Sequence, residues 1–130
     1  KLKLKLDGIL FQKYRIGREI IIGGKKDPVF GQTILFGSGG VYTELIKDVS
    51  VRICPITEKD ANEMIDGTMA SKMLGKFRGE DPVDRKALVN VLLKVSKILM
   101  DNKNINELDI NPLILNKEGA FVVDARMLID

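Results

Sequence analysis

The hydrophobic period of the sequence changes twice along the chain, and no other feature constrains the fold as strongly. From residue 19 to residue 53, short apolar runs are separated by glycines and by Asp27-Pro28, a pattern typical of strands and tight turns. A helical period follows, and strand-like runs return on either side of NKEG near the C-terminus. This order, without regular alternation of strands and helices, predicts an α+β fold with helices packed on one face of a mostly antiparallel sheet.

Local signals predict where the elements begin and end. Before the helices, we expect strands at residues 8–12, 19–23, 33–37 and 49–53. The alternating KLKLKL at the start would put its three lysines on one face of an edge strand. The glycine-rich stretches IIGGKKDPVFG and FGSGG fit neither the P-loop nor the dinucleotide fingerprint, so tight hairpin turns are the favoured interpretation.

Three helical segments are expected in the middle of the chain. Thr57 and Asp60 resemble a capping box that would open the first, and SKMLGKFRG resembles a short second turn. Asp81 and Pro82 have the residue types of an N-cap and a first helical position, which predicts the start of the longest helix. Its apolar positions recur at helical spacing: Leu88, Val91, Leu92, Val95, Ile98 and Leu99.

Composition narrows the classes of function. The 130 residues, 45% of them hydrophobic and 30% charged, fit one globular domain or part of one, and no apolar run reaches the ~20 residues of a membrane span. Cys54 is the only cysteine, which favours a cytoplasmic protein and a small buried side chain rather than a nucleophile. The absence of histidine excludes histidine-based catalysis within this chain. The net charge of +3 suits an anionic ligand and does not by itself indicate nucleic acid.

Two carboxylates interrupt the closing strands, where apolar residues would be expected. With a period of two, Asp109 and Asn111 point to one side while Leu108 and Ile110 point to the other. Asp124, across the NKEG turn, could lie near Asn111, and such an all-oxygen group suits Mg²⁺. The alternatives are a water-facing sheet surface and an Asn-Pro pair that simply marks the end of a strand.

Other polar residues allow more than one interpretation. Glu19, at the start of an apolar strand, could accept hydrogen bonds from a sugar diol or lie on the solvent side of an edge. Arg52, Arg78 and Arg126 are candidate phosphate-binding residues, and their spacing does not separate them from ordinary surface arginines.

Several segments together resemble a known family. GREIIIGGKKDPVFGQTILFGSGG, LGKFRG, ELDINPLIL and VVDAR are similar to the C-terminal part of the ATP-grasp domain of ADP-forming acyl-CoA synthetases. The resemblance spans residues 8–130 and is strongest to the beta subunit of ADP-forming acetate–CoA ligase. Succinyl-CoA synthetase beta chains share the same ending at a greater distance.

The resemblance implies a division of the chain. Residues 1–130 would be the C-terminal subdomain of an ATP-grasp domain, with a hinge strand and loop at 1–18 and an α+β subdomain at 19–130. The chain would then be a piece of a longer protein. An upstream ATP-grasp subdomain would form the other wall of the cleft. A CoA-binding domain or alpha subunit would carry a phosphohistidine.

The resemblance also implies roles for residues. Gln12, Lys13 and Tyr14 would line the adenine of ATP or ADP, Glu19 would bind the ribose, and Val123 would pack under the base. Gln12 stands where succinyl-CoA synthetases have glutamate.

For the phosphates, the resemblance assigns Asn111 and Asp124 as ligands of Mg²⁺. Asp109 would face the phosphohistidine, and Arg126 would add positive charge.

The family reaction converts acyl-CoA, ADP and phosphate into a carboxylic acid, CoA and ATP, with a phosphohistidine as the intermediate carrier. A nucleotide-binding regulatory domain that has lost catalysis is the alternative. Nucleic-acid binding is disfavoured because two tyrosines and five phenylalanines provide few stacking surfaces.

Overall fold

The computed structural model describes residues 7–39 and 48–130, so the lysines of KLKLKL lie outside the described residues. Within these ranges the elements follow the expected order of strands, helices and strands. They are β1 Arg18–Asp27, β2 Gly31–Ser38, β3 Val49–Ile53, α1 Glu58–Asp66, α2 Ser71–Leu74, α3 Arg85–Asp101, β4 Ile105–Asn116, β5 Gly119–Val122 and β6 Ala125–Ile129. None of the helices in the described ranges is both long and apolar enough to cross a membrane.

The strands form one antiparallel sheet in the order β3-β2-β1-β4-β5, with β6 also paired to β4. Strand β4 is the longest, and two short strands share its outer side. β6 pairs with residues 105–110 of β4, and β5 pairs with residues 113–116. The α+β fold expected from the sequence is therefore confirmed.

The helices cover one face of this sheet because alternate residues of the central strands are apolar. Ile20 and Ile22 of β1 are fully buried, and Leu108 of β4 is almost fully buried. They belong to the same core cluster as Leu88 and Leu92 of α3. Burying a side chain of this size contributes about 1.5–3 kcal/mol, so this layer fixes which face of each strand points away from the helices.

The longest helix begins three residues later than the Asp81-Pro82 pair predicts, and that assignment was wrong. Asp84 is the N-cap, and its side chain accepts a hydrogen bond of 2.9 Å from the amide of Ala87. Asp81 is engaged elsewhere, since its carboxylate accepts a hydrogen bond of 2.9 Å from Lys117. That ion pair lowers the pKa of Asp81.

The expected strand at residues 8–12 is also absent, since residues 7–17 form neither strand nor helix. A strand needs a neighbour for its backbone hydrogen bonds, and the described residues provide none beside this stretch. Ile9, Leu10 and Phe11 are exposed as a consequence.

The first glycine-rich stretch forms a hairpin turn, as the favoured interpretation predicted. β1 and β2 pair from Ile20 opposite Ser38 down to Asp27 opposite Gly31. The carboxylate of Asp27 accepts hydrogen bonds from the amides of Phe30 at 2.8 Å and Val29 at 2.7 Å, and these bonds lower its pKa. Most of FGSGG lies in β2, and its last glycine is outside the described residues.

Cys54 is buried, as predicted for a small apolar side chain. Burial raises the pKa of its thiol, and a hydrogen bond with Ser96 opposes that shift only in part. A thiol held in its neutral form is a poor nucleophile, so the structural interpretation of this cysteine stands.

Thr57 and Asp60 form the capping box that the sequence predicted. The hydroxyl of Thr57 accepts a hydrogen bond from the amide of Asp60 at 3.2 Å, and the carboxylate of Asp60 accepts one from the amide of Thr57 at 2.8 Å. Hydrogen bonds from the hydroxyl and the amide of Thr57 lower the pKa of Asp60.

We predict that Thr57→Ala lowers the free energy of unfolding by about 1 kcal/mol at neutral pH, the usual cost of losing an N-cap hydroxyl. Thr57→Ser is the matched control and should retain nearly all the stability. Because the pKa of Asp60 is lowered on folding, the contribution of its carboxylate to the box is present at neutral pH and is lost as the pH falls through that lowered pKa. Urea denaturation at pH 7 and at a pH well below 3.8, the ordinary value for aspartate, should therefore give a smaller difference at acidic pH. A difference that is constant with pH would contradict this role.

Candidate functional site

The face of the sheet opposite the helices, called the open face below, presents its side chains in rows across the strands. One row, called the central row, runs from β3 across β2, β1 and β4 to β6. The strand register gives its members as Val51, Leu35, Gly23, Asp109 and Arg126. Two residues assigned from the sequence, Asp109 and Arg126, are therefore cross-strand partners on this face.

Exposure along β4 alternates as the period of two predicted. Leu108 is 3% exposed and Ile110 is 6% exposed, whereas Asp109 and Asn111 are exposed. The carboxylate of Asp109 belongs to the open face because the helix-facing positions of β4 are filled by the core. An acid in this position does not disturb the apolar layer.

A β-bulge interrupts the pairing of β1 with β4 next to Asp109. Ile20 pairs with Leu113 and Ile22 pairs with Ile110, so Asn111 and Pro112 together lie opposite the single residue Ile21. A bulge can accommodate a proline, which has no amide hydrogen to donate to the ladder. Pro112 therefore does not end the strand, and β4 continues to residue 116.

The strands that pair with the outer side of β4 are also interrupted at the level of Asn111, because β5 ends at Val122 and β6 begins at Ala125. Val123 and Asp124 occupy the interruption and remain bonded to β4. The amide of Asn111 donates to the carbonyl of Asp124 at 3.2 Å, and the amide of Val123 donates to the carbonyl of Pro112 at 3.2 Å. Asn111 and Asp124 are thus direct neighbours, as the sequence suggested, and both are exposed.

This pair of residues fits a magnesium ion that is only partly ligated by protein. Asn111 and Asp124 offer one amide oxygen and one carboxylate, and Mg²⁺ is usually held by one or two carboxylates together with water and substrate phosphates. In residues 7–39 and 48–130, no group of three or more histidine, cysteine, aspartate or glutamate side chains could enclose a metal. One carboxylate and one amide oxygen would leave most positions around such an ion open to water and other oxygen ligands.

A short segment before β1, residues 15–17, covers one end of the open face and is called the covering segment below. The guanidinium of Arg15 stacks 3.9 Å from the ring of Phe121 and forms an ion pair of 3.2 Å with Glu118. The side-chain amide of Asn116 donates to the carbonyl of Ile16 at 2.9 Å. These contacts hold the segment against β5 and the end of β4.

The three residues assigned to the base lie in or beside this segment, and Glu19 follows it on β1. Gln12, Lys13 and Tyr14 are exposed, as is Glu19, which pairs with Ile114 on β4. Asn111 is three residues along β4 from Ile114, the partner of Glu19, which is about 10 Å at about 3.3 Å per residue. Asp109 is two residues further along the strand, or about 7 Å. The candidate residues therefore follow one line along the open face. Val123 borders the bulge and is half-exposed.

Two features of this face were missed in the sequence. Gly23 is the only member of the central row without a side chain, and Lys25 forms an exposed ion pair of 3.6 Å with Glu107 beside it. The bulge had a signal in the sequence, since a proline inside an otherwise continuous strand pattern indicates an edge or a bulge. The position of Gly23 in the central row had no such signal in the sequence, because it depends on the register of three strands.

Gly17 lets the covering segment approach the sheet. A Cβ atom added there would clash with the carbonyl oxygen of Leu115, so any side chain would push the backbone away. We predict that Gly17→Ala lowers the free energy of unfolding, measured by urea denaturation, by about 1–3 kcal/mol.

Gly8→Ala is the matched control for this experiment. A Cβ atom at Gly8 would meet nothing within 4 Å, so this variant should unfold like the wild type. Unchanged stability in Gly17→Ala would mean that the segment is not held by this close approach.

Comparison with known proteins extends this description. The family model of the ATP-grasp domain matches residues 2–129. An ADP-forming acetate–CoA ligase I of Archaeoglobus fulgidus is 45% identical over 128 residues, which cover 98% of this chain and 19% of the relative. The beta subunit of the ADP-forming acetate–CoA ligase II of Pyrococcus furiosus is 52% identical over 116 residues, which cover 87% of this chain and 49% of the relative.

A solved structure is similar in both sequence and fold. The dinucleotide forming acetyl-coenzyme A synthetase 1 of Ca. Korarchaeum cryptofilum has a TM-score of 0.87 and 44% identity, over 90% of this chain and 55% of that chain. That protein is in complex with coenzyme A and Mg-AMPPCP, and its phosphohistidine segment points towards the nucleotide binding site. The resemblance read from the sequence is confirmed by these matches. This chain spans about a fifth of the first relative and about half of the second.

Proposed function

Because the chain belongs to the ATP-grasp domain family, we propose that it is the C-terminal part of the ATP-grasp domain of an ADP-forming acyl-CoA synthetase, where it binds ATP or ADP with Mg²⁺. The observation that carries this proposal is the pairing of Asn111 with Asp124. The two residues are bonded to each other through the backbone and are exposed at one level of the open face.

The order of the residues along the open face supports a position for the nucleotide. The base lies beside the covering segment, where Gln12, Lys13 and Tyr14 can contact it, and Val123 adds apolar contact. The ribose lies at Glu19, whose carboxylate can accept hydrogen bonds from both hydroxyls of a diol. About 10 Å separates Glu19 from Asn111 along β4, a length that the phosphate chain of a nucleotide can span.

Asn111 and Asp124 hold the metal through their side-chain oxygens, and water and phosphate oxygens supply its remaining ligands. Magnesium, when bound, neutralises the negative charge of the phosphates. Asp109 lies two residues from Asn111 and can accept a hydrogen bond from the imidazole of a histidine, which orients the ring. Arg126, opposite Asp109, adds positive charge where the phosphoryl group passes.

The phosphoryl carrier belongs to another part of the protein or to a partner subunit, because this chain contains no histidine. The proposed partners are a CoA-binding domain with the phosphohistidine and an upstream ATP-grasp subdomain that forms the other wall of the cleft. The exposed Ile9, Leu10 and Phe11 suit contact with that subdomain. Residues 1–18 would then connect the two subdomains as a hinge, with 19–130 as the second. ATP and CoA are cytoplasmic metabolites, so we expect the protein to work in the cytoplasm.

We predict that Asp124→Ala, introduced into the full-length protein with its CoA-binding partner, lowers the rate of ATP formation from acetyl-CoA, ADP and phosphate by a hundredfold or more. Loss of the carboxylate removes the one charged metal ligand of the site. The concentration of Mg²⁺ that gives half-maximal activity should rise as well. Continuous ATP detection over a series of Mg²⁺ concentrations measures both effects.

Glu63→Gln is the matched control, because Glu63 is an exposed acid on α1, remote from the open face. It should retain the wild-type rate. If the wild-type protein binds Mg-AMPPCP yet forms no ATP with any acyl-CoA, the regulatory alternative replaces the catalytic proposal. If Asp124→Ala is as active as the wild type, the metal assignment is wrong.

A further inference from the structure

The covering segment lies over a small apolar cluster that is separate from the main core. Ile114 is 6% exposed, yet it does not belong to the core cluster beneath the helices. Its strand partners are Glu19 on one side and Phe121 on the other, so the three residues form one row across β1, β4 and β5. Gly17 passes over this row, since a Cβ atom added there would lie 3.0 Å from a methyl group of Ile114. The row is therefore covered at its centre and open at Glu19.

Arg15 fastens the covering segment to this cluster. Its guanidinium lies 3.9 Å from the centre of the Phe121 ring and 3.2 Å from the carboxylate of Glu118. We propose that Arg15 is a positioning residue for the nucleotide base, which it serves through the ring of Phe121 without touching the nucleotide. This inference rests on the proposed function. It adds to that function two residues, Arg15 and Phe121, on which the affinity for the nucleotide depends.

Arg15 is the first anchored point of the chain before β1. Along residues 7–14, no hydrogen bond, ion pair or ring contact joins the chain to another described residue. Gln12, Lys13 and Tyr14 directly precede Arg15 and are exposed. Each residue spans at most about 3.6 Å, so the backbone of Gln12 lies within about 11 Å of the anchor. The position of Arg15 thus limits where these three residues can meet the base.

Two contacts hold Arg15, and the contact with the ring is the stronger candidate. The side chain of Glu118 is 64% exposed and that of Arg15 is 24% exposed. Water therefore screens the ion pair, and such surface pairs contribute little. The planar guanidinium instead covers the face of the Phe121 ring, which combines electrostatic attraction with the removal of apolar area from water. We therefore expect the ring to hold Arg15 more firmly than the carboxylate does.

The surface beneath Arg15 is fixed by the sheet. Phe121 belongs to β5, which is hydrogen-bonded to β4. In the turn between these strands, the carboxamide oxygen of Asn116 accepts a hydrogen bond of 2.8 Å from the amide of Glu118. The nitrogen of the same carboxamide donates to the carbonyl of Ile16 at 2.9 Å. The ring, the turn and the covering segment are thus joined to one another, so Arg15 has a defined place to dock.

Loss of this anchor would weaken nucleotide binding without changing the chemistry. Residues 12–14 would then have to be ordered when the base binds, and that ordering costs conformational entropy. If only about a fifth of the molecules hold the segment in place, the apparent dissociation constant rises about fivefold. Asn111 and Asp109 lie about 10 and 17 Å along β4 from the level of Glu19, so the metal site and the phosphoryl site should remain intact.

Arg15→Met tests the proposal, because it keeps an unbranched apolar stem and removes the planar cation. In the full-length protein with its CoA-binding partner, we expect the dissociation constant of Mg-AMPPCP and the KM for ADP to rise at least about fivefold. The kcat for ATP formation should change less than twofold. Inhibition by magnesium tripolyphosphate, which has the phosphates but neither base nor ribose, should also change less than twofold. A general loss of structure would affect all four quantities.

A double-mutant cycle with Phe121→Leu tests the path through the ring. Leucine keeps an apolar contact with Ile114 and removes the aromatic face. Phe121→Leu alone should weaken the binding of Mg-AMPPCP, and Arg15→Met added to it should change the dissociation constant less than twofold further. Glu118→Gln should weaken binding less than twofold.

Lys97→Met is the matched control for the loss of a positive charge. Lys97 forms a surface ion pair of 2.7 Å with Asp101 on α3, so the variant removes a paired cation remote from the open face. It should bind Mg-AMPPCP like the wild type.

Wild-type affinity for Mg-AMPPCP in Arg15→Met would overturn the proposal. So would an equal effect of Arg15→Met with and without the Phe121 ring, or an effect of Glu118→Gln as large as that of Arg15→Met. A lower kcat with unchanged affinity would also overturn it, since Arg15 would then act on phosphoryl transfer. Failure of the wild-type protein to bind Mg-AMPPCP would instead refute the proposed function.

Discussion

The packing of α3 against alternate residues of β1 and β4 is the interaction on which the rest of the structure depends. Because Ile20, Ile22 and Leu108 are committed to the core, the residues between them must face away from the helices. Asp109 thus reaches the open face without the cost of burying a carboxylate. The acids that interrupt the closing strands are compatible with a well-packed domain for this reason. The burial pattern directs polar groups to one surface, and the proposed chemistry uses that surface.

The register of β4 with its outer strands brings Asn111 and Asp124 together, since Leu113 pairs with Val122 on one side of them and Ile110 pairs with Ala125 on the other. The bulge at Asn111-Pro112 and the interruption between β5 and β6 occur at the same level, on opposite sides of β4. Bulges are common beside active sites because they change the direction of a side chain or end a pairing. Here the bulge lies on the β1 side of β4, and on the other side the hydrogen bonds of the Asn111 and Val123 amides keep residues 123 and 124 attached to the strand. The proline is tolerated because this stretch of β4 requires no amide hydrogen at that position.

The fold class, the capping box at Thr57 and the alternation around Asp109 could be predicted from the sequence, because each depends on local periodicity or on residues three positions apart. The start of α3 could not, since the observed N-cap, Asp84, is held by a residue distant in sequence: its amide donates to the carbonyl of Asn116 at 2.9 Å. The strand expected at residues 8–12 failed for a related reason, because apolar alternation does not form a strand without a neighbour. The proximity of Asn111 and Asp124 was inferred from the hairpin, whereas the row that joins Gly23 to Asp109 depends on a register that no local pattern specifies.

The sharing of β4 by two short outer strands has a consequence for any ligand of the open face. Residues contributed by β5, β6 and the interruption between them are all bonded to one continuous strand of twelve residues, so they move with it as a single body. The conformational entropy lost in bringing their side chains together is lost when the sheet folds, and it does not recur when a ligand binds. The relative positions of these polar groups are therefore set by the ladder itself. This preorganisation is present before any ligand binds.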